Sequence, residues 1–198
     1  MAVDAFLLAL ALALLLGGRF RNLGRLDIRG AWLGVILFAL LAGATALAYA
    51  GVRPALTKWL FVGGNGLLAA LLLRNWRVPG LALAGLGLVL NFAVTVANGG
   101  LMPVDPATLA HLPPQYAALF TQHAGEELRH ALMAPGTSLV PLADRYVFPF
   151  SLLPPYPQPY VFSVGDFVMS IGIVWAVLVG MGVPWLTRGM HVDRTPIR

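Results

Sequence analysis

Apolar and polar positions segregate into five long apolar runs, with polar breaks between the first four and one long mixed region before the fifth. Ala2 to Gly18 is a Leu/Ala run whose only charge is Asp4. Ala31 to Ala50 follows, closed by the Gly51-Val52-Arg53-Pro54 turn. The third run, from Leu56 to Leu73, contains Gly63-Gly64-Asn65-Gly66, where small residues permit close helix approach and Asn65 can hydrogen-bond to a neighbour. The fourth runs from Leu81 into Asn98-Gly99-Gly100-Leu101-Met102-Pro103-Val104, where Gly-Gly and Pro end it. The fifth, Val164 to Leu186, would be roughly 34 Å long at 1.5 Å per residue, enough to cross a hydrocarbon core. The pattern predicts an all-α polytopic membrane protein, a single domain over 1–198. Its transmembrane helices lie near 2–18, 31–50, 56–73, 81–97 and 164–186, under an exoplasmic cap of short helices and a Pro-rich loop at 99–162.

Composition agrees: 59% of the 198 residues are hydrophobic and 11% charged, with mean hydropathy +0.79, too little charge for a soluble globule of this size. The lipid bilayer is therefore the expected partner. The net charge of +5 does not point to nucleic acid, because most basic residues sit in short loops between apolar runs. No cofactor is expected, and the absence of Cys excludes thiolate chemistry. Arg19, Arg21, Arg25 and Arg29 come after the first run rather than before it, so that run is a membrane helix and not a signal peptide.

Charge placement orients the chain. Arg19, Arg21, Arg25, Arg29, Arg74, Arg77, Arg188, Arg194 and Arg198 fall on one side, nine of 13 basic residues. Asp4, Asp105, Glu126, Glu127, Asp144 and Asp166 fall on the other, six of eight acids. The positive-inside rule then makes the C-terminal tail cytoplasmic and the N-terminus external, in a bacterial inner membrane. Arg53 and Lys58 dissent, and Lys58 can snorkel. Within the cap, Asp105-Pro106 is a helix start with Asp as N-cap and Pro at N1. Segments 113–123 and 126–133 read as short helices with Tyr116, Leu119 and Phe120 on one face, and Pro149 to Tyr160 reads as a stiff extended link.

Three constellations carry chemistry. Asp144 and Asp166 bring two acids to the outer surface. If they share a site, one stays protonated while the other activates water. Arg145, beside Asp144, favours its ionised form, as the base of such a pair or as a plain ion pair. Ser163 and Asp166 also make an S-x-x-D capping box, a role compatible with the functional one. Second, His123, Glu127 and His130 share a helical face if the helix survives Gly125, and are a weak candidate metal set against the commoner solvated face. Third, Asn91, Thr95 and Asn98 make one face of the fourth helix polar, either for interhelical hydrogen bonds or to orient a substrate carbonyl beside Asp166.

Asn98–Val104 (N-G-G-L-M-P-V), His130–Leu139 (H-A-L-M-x-x-x-T-x-L), Leu142–Asp144 (L-A-D) and Phe162–Asp166 (F-S-V-G-D) with Gly172 resemble a family of uncharacterised bacterial multi-pass membrane proteins, a domain of unknown function. That likeness spans nearly the whole chain and implies a membrane location without an activity. Locally, L-A-D-R followed by V-F-S-V-G-D is similar to the C-terminal signature of lipoprotein signal peptidase (signal peptidase II). The resemblance implies Asp144 and Asp166 as a catalytic dyad at the outer face, with Asn98 near that family's N-x-G segment. Ser163 stands where that family has Asn, and five helices replace four. The expected function is thus an aspartic peptidase-like hydrolase acting on a membrane-anchored peptide or lipidated substrate, with Asn91, Asn98 and Arg145 binding it. The alternative is a non-catalytic membrane protein that binds a small ligand or a partner subunit. A transporter fits less well, because five helices without symmetry offer no inverted repeat.

Overall fold

The computed structural model describes residues 1–49, 54–114, 117, 130–148 and 160–187. Five apolar helices dominate: α1 (Ala2–Leu15), α3 (Ala31–Tyr49), α4 (Pro54–Arg74), α5 (Leu81–Ala97) and α7 (Val164–Gly180). Short helices α2 (Phe20–Leu23), α6 (Pro106–Leu109) and α8 (Pro184–Thr187) lie between or after them. The five pack as a row in which α3 lies on α4, α4 on α5, α5 on α7 and α7 on α1. By length and composition one described helix, over Leu56–Arg74, is long and apolar enough to cross a membrane, with 19 residues and mean hydropathy 1.5; shorter apolar stretches of 10–17 residues lie over Ala2–Leu15, Ala31–Ala44, Leu81–Ala97 and Val164–Gly180. Large apolar side chains face outward along the row, including Val35 and Phe38 at 70% and 72% exposure.

Two helices end sooner than the apolar pattern predicts, each for a backbone reason. α1 stops at Leu15 instead of 18 because Gly17 takes a positive φ of 85°. The chain then turns onto the end of α7, where Arg19 N–H donates to Met181 O at 2.8 Å. α7 stops at Gly180 rather than 186, since Gly182 has φ 73° and Pro184 restarts the chain as α8. Ala9, Ala13, Val177, Met181 and Val183 form the buried core at this end.

The basic loop is fixed by one side chain. Asn75, 5% exposed, accepts from Arg29 N–H at 2.8 Å and donates to Arg29 O at 3.1 Å and Leu71 O at 2.8 Å. Asn75→Ala strands the Arg29 peptide groups, so thermal unfolding should show a loss of about 2–3 kcal/mol, a fall in Tm of roughly 5–10 °C.

The all-α expectation is corrected in the cap, whose described residues hold four strands. β1 (Met102–Val104) pairs in parallel with β2 (His130–Leu132), and β3 (Tyr146–Phe148) pairs antiparallel with β4 (Tyr160–Phe162). Three-residue strands carry no periodicity, and their stabilisation comes from pairing remote in sequence. Asp105 does cap α6, accepting from Ala107 N–H with Pro106 at N1. Val104, Leu109 and Leu112 give the cap its own small core. The expected face of Tyr116, Leu119 and Phe120 and most of the Pro-rich link lie outside the described residues.

Candidate functional site

Asp144 is held at the seam between the two sheets. Its N–H donates to Pro103 O at 2.9 Å, its carbonyl accepts from Asp105 N–H at 3.0 Å, and it bridges Val104 of β1. One residue on, Arg145 N–H donates to Phe162 O at 3.2 Å. The β3–β4 register, Tyr146 opposite Phe162, extended by two residues, sets Asp144 across from Val164, at the start of α7. Strand pairing therefore brings the loop acid to the mouth of the helix that carries Asp166.

Asp166 sits in a closed polar ring. Ser163 caps α7: its Oγ accepts from Asp166 N–H at 3.0 Å while its N–H donates to Asp166 Oδ2 at 3.2 Å. From α5, Asn91 Nδ2 donates to Asp166 Oδ1 at 2.9 Å, and Ser163 Oγ donates to Asn91 Oδ1 at 2.8 Å. The ring needs close helices, and glycines provide the approach. A Cβ at Gly165 would meet Asn91 Oδ1, and one at Gly87 would meet the Gly165 carbonyl. The capping and functional readings of Asp166 thus describe one side chain with both oxygens engaged.

Both acids border a single cavity of about 210 Å³ between α4, α5, α7 and the cap. Phe61, Val62, Leu88 and Phe92 supply apolar wall, and Asn65, Asn91, Thr95 and His130 supply polar groups. Asp144 is 4% exposed, and burial pushes its carboxyl from 3.8 up to about 7; His130 pulls it down and the charge of Asp166 pushes it up. His130 Nε2, from β2, lies 3.6 Å from Asp144 Oδ2. Asp144 Oδ1 is buried with no hydrogen-bond partner among the described residues, a polar atom that a water or a bound group in the cavity would satisfy. Tyr160 stands near the site from β4, its hydroxyl pushed up to about 12 by burial and then by the charges of Asp4 and Asp166.

The other expected residues divide. Asn91 and Thr95 border the cavity, whereas Asn98 is committed elsewhere. Its amide donates to Val94 O at 2.7 Å and Ser138 O at 2.9 Å and accepts from Ser138 N–H at 2.9 Å, tying α5 to the cap. Arg145 does not pair with Asp144: its Nε donates to Asp105 Oδ2 at 3.2 Å, because the residues flanking Asp144 alternate away from the cavity. His130 belongs to a strand and to Asp144, not to a helical metal face with His123 and Glu127, which lie outside the described residues. Among the described residues no group of three His, Cys, Asp or Glu could hold a metal ion. Sequence reading missed the pairing of His130 with Asp144 and the proximity of Tyr160 and Asp4, for which only three-dimensional pairing gives a signal.

Comparison with known proteins covers this same region. A model described as a family of unknown function, DUF5317, matches residues 25–178, which include Asn91, His130, Asp144, Ser163 and Asp166. An uncharacterized protein of Thermotoga maritima is 30% identical over 173 residues, 87% of this chain and 88% of that protein. No solved structure matches.

Proposed function

We propose, for a chain that belongs to the DUF5317 family of unknown function, a multi-pass inner-membrane hydrolase of aspartic type whose pair, Asp144 and Asp166, works at the outer membrane face. The single observation that carries the reading is that the two acids border one cavity in unlike surroundings. One is buried with a bare oxygen; the other is held by Asn91 and Ser163. Unlike environments are what give two carboxyls the separate roles of acid and base.

Five spans are supported by the row of apolar helices, by the apolar side chains along its outside, and by basic residues gathered on one side. In this topology the N-terminus is external, the C-terminus cytoplasmic, and the strand-built cap lies outside over the cavity. The helices shorter than 18 residues cross with the help of their flanking turns and local thinning.

The chemistry follows from the pair. Water attacks the scissile carbonyl carbon and gives a proton to Asp166, while Asp144 gives its proton to the carbonyl oxygen. The tetrahedral adduct collapses as the C–N bond breaks. The amine takes the proton from Asp166, and the hydroxyl proton returns to Asp144. Asn91 holds Asp166 in place. A volume near 210 Å³ lies below the roughly 300–1,000 Å³ of pockets that enclose whole drug-sized ligands. It suits one part of a longer substrate, such as a membrane-anchored peptide or lipidated segment.

Asp144→Asn and Asp166→Asn test this. Membranes of cells producing the wild-type chain are compared with membranes of cells producing each variant by mass spectrometry of protein termini. Cleaved termini present with wild type should vanish with either variant, while both variants still insert and purify. Identical termini in all three sink the hydrolase and leave the small-ligand or partner-binding alternative.

A further inference from the structure

We propose that Lys58, at the outer rim of the cavity, determines specificity by selecting substrates that carry an anionic group, a carboxylate or a phosphate, beside the segment that enters. The inference rests on this cavity being the substrate site, but not on the reaction performed there.

Helical spacing places the residue. Lys58, Phe61, Val62 and Asn65 recur at intervals of three and four on α4, one face of the helix, and the last three border the cavity. Lys58 continues that face one turn nearer the outer end. Its methylene stem lies over Gly100, another cavity residue: a Cβ there would come within 3.2–3.3 Å of Lys58 Cγ, Cδ and Cε. The backbone of Gly100, at φ 87°, is a conformation side chains rarely adopt. The ammonium is 5.4 Å from the Trp59 ring centre and meets no carboxylate among the described residues. Of the basic residues expected on the outer side, Arg145 is committed to Asp105, and Arg53 and Arg129 lie outside the described residues. Among the described residues, Lys58 is the outer-side cation with no acid partner.

The cavity face of α4 thus runs from a cation at its outer end, past Phe61 and Val62, to Asn65, beside the stretch of α5 whose Asn91 holds Asp166. A substrate with an anionic group enters in one orientation only: that group is attracted by Lys58 and repelled by Asp166. The spacing is also set. Asn65 is two turns from Lys58, roughly 10 Å along the axis, and a Cβ at the next residue, Gly66, would touch the Phe92 ring, the neighbour of Asn91. The anionic group therefore sits about three extended residues from the carbonyl facing the acids. A lysine ammonium, a point charge without a fixed fork, serves a carboxylate or a phosphate equally.

Two probe series read this on the purified full-length protein. One compares an N-acetylated apolar pentapeptide ending in a carboxylate with its carboxamide. The other compares a single-chain glycerol phosphate amphiphile with the uncharged glycerol ester of the same chain. The anionic member of at least one series should bind about tenfold more tightly than its neutral counterpart, and the series that discriminates identifies the source of the charge. Lys58→Gln should abolish the preference, Lys58→Arg should retain it, and added salt should shrink it. The proposal is overturned by no preference in either series, by no binding of any probe, or by a preference that survives in Lys58→Gln. Retention of the preference without any hydrolysis in the wild type would sink the hydrolase alone.

Discussion

Gly172→Ala is expected to destabilise the protein by about 3 kcal/mol, although alanine is the better helix former by about 1 kcal/mol in an isolated helix. The reason lies across the α5–α7 contact. A Cβ at Gly172 would meet the Ala84 backbone nitrogen and the Gly80 carbonyl oxygen, the latter at 2.6 Å. These are backbone atoms, so no rotamer change relieves the overlap and the helices must separate. Separation propagates to the site, because the same contact carries Gly87 against Gly165 and Asn91 against Asp166. Thermal unfolding should show a Tm lower by roughly 6–12 °C. Gly43→Ala on α3 is the internal control, since nothing lies within 4 Å of a Cβ there; it should be neutral or slightly stabilising. A Gly172→Ala protein as stable as wild type would show that the α5–α7 approach is looser than described.

What was legible in the sequence follows the range of the interactions involved. The span 81–97 and the start at Ala31 were readable because apolar runs bounded by Gly and Pro are local signals. The Ser163–Asp166 box and the Asp105-Pro106 start were readable because capping acts within three residues. Where local reading fails, remote pairing decides. Nothing near Asp144 in the chain announces that β1 will pin its backbone, bury it and leave Arg145 facing Asp105 instead. Nor does the spacing of Asn91, Thr95 and Asn98 reveal that the last of them meets Ser138. The ends of α1 and α7 were overrun because hydropathy continues past Gly17 and Gly182 while the backbone does not.

Asp144→Asn is expected to stabilise the protein and inactivate it together. The carboxyl of Asp144 has an ordinary value of 3.8 and is raised to about 7 in the fold, first by burial. Between those values the folded state keeps a proton that the unfolded chain releases. Stability therefore falls as pH rises from about 4 to about 7 and is level above that. Some three pH units at about 1.4 kcal/mol each make the total loss about 4 kcal/mol. Asparagine keeps the shape without the charge, so the variant should lose this slope and exceed the wild type in stability at pH 7 and above. Among the described residues the charged groups acting on Asp144 are His130 and Asp166, and a His130→Gln background removes the imidazole as a source of the slope. Activity moves the other way. The proposed hydrolysis needs a protonated Asp144, so under that reading activity should decline above about pH 7, and loss of the acid should cost roughly a thousandfold in rate. Stability measured against pH for both proteins, beside the appearance of cleaved termini, separates the explanations. A buried acid with no chemical role predicts stabilisation with cleavage intact, and a wild-type stability level between pH 4 and 7 removes the burial argument itself.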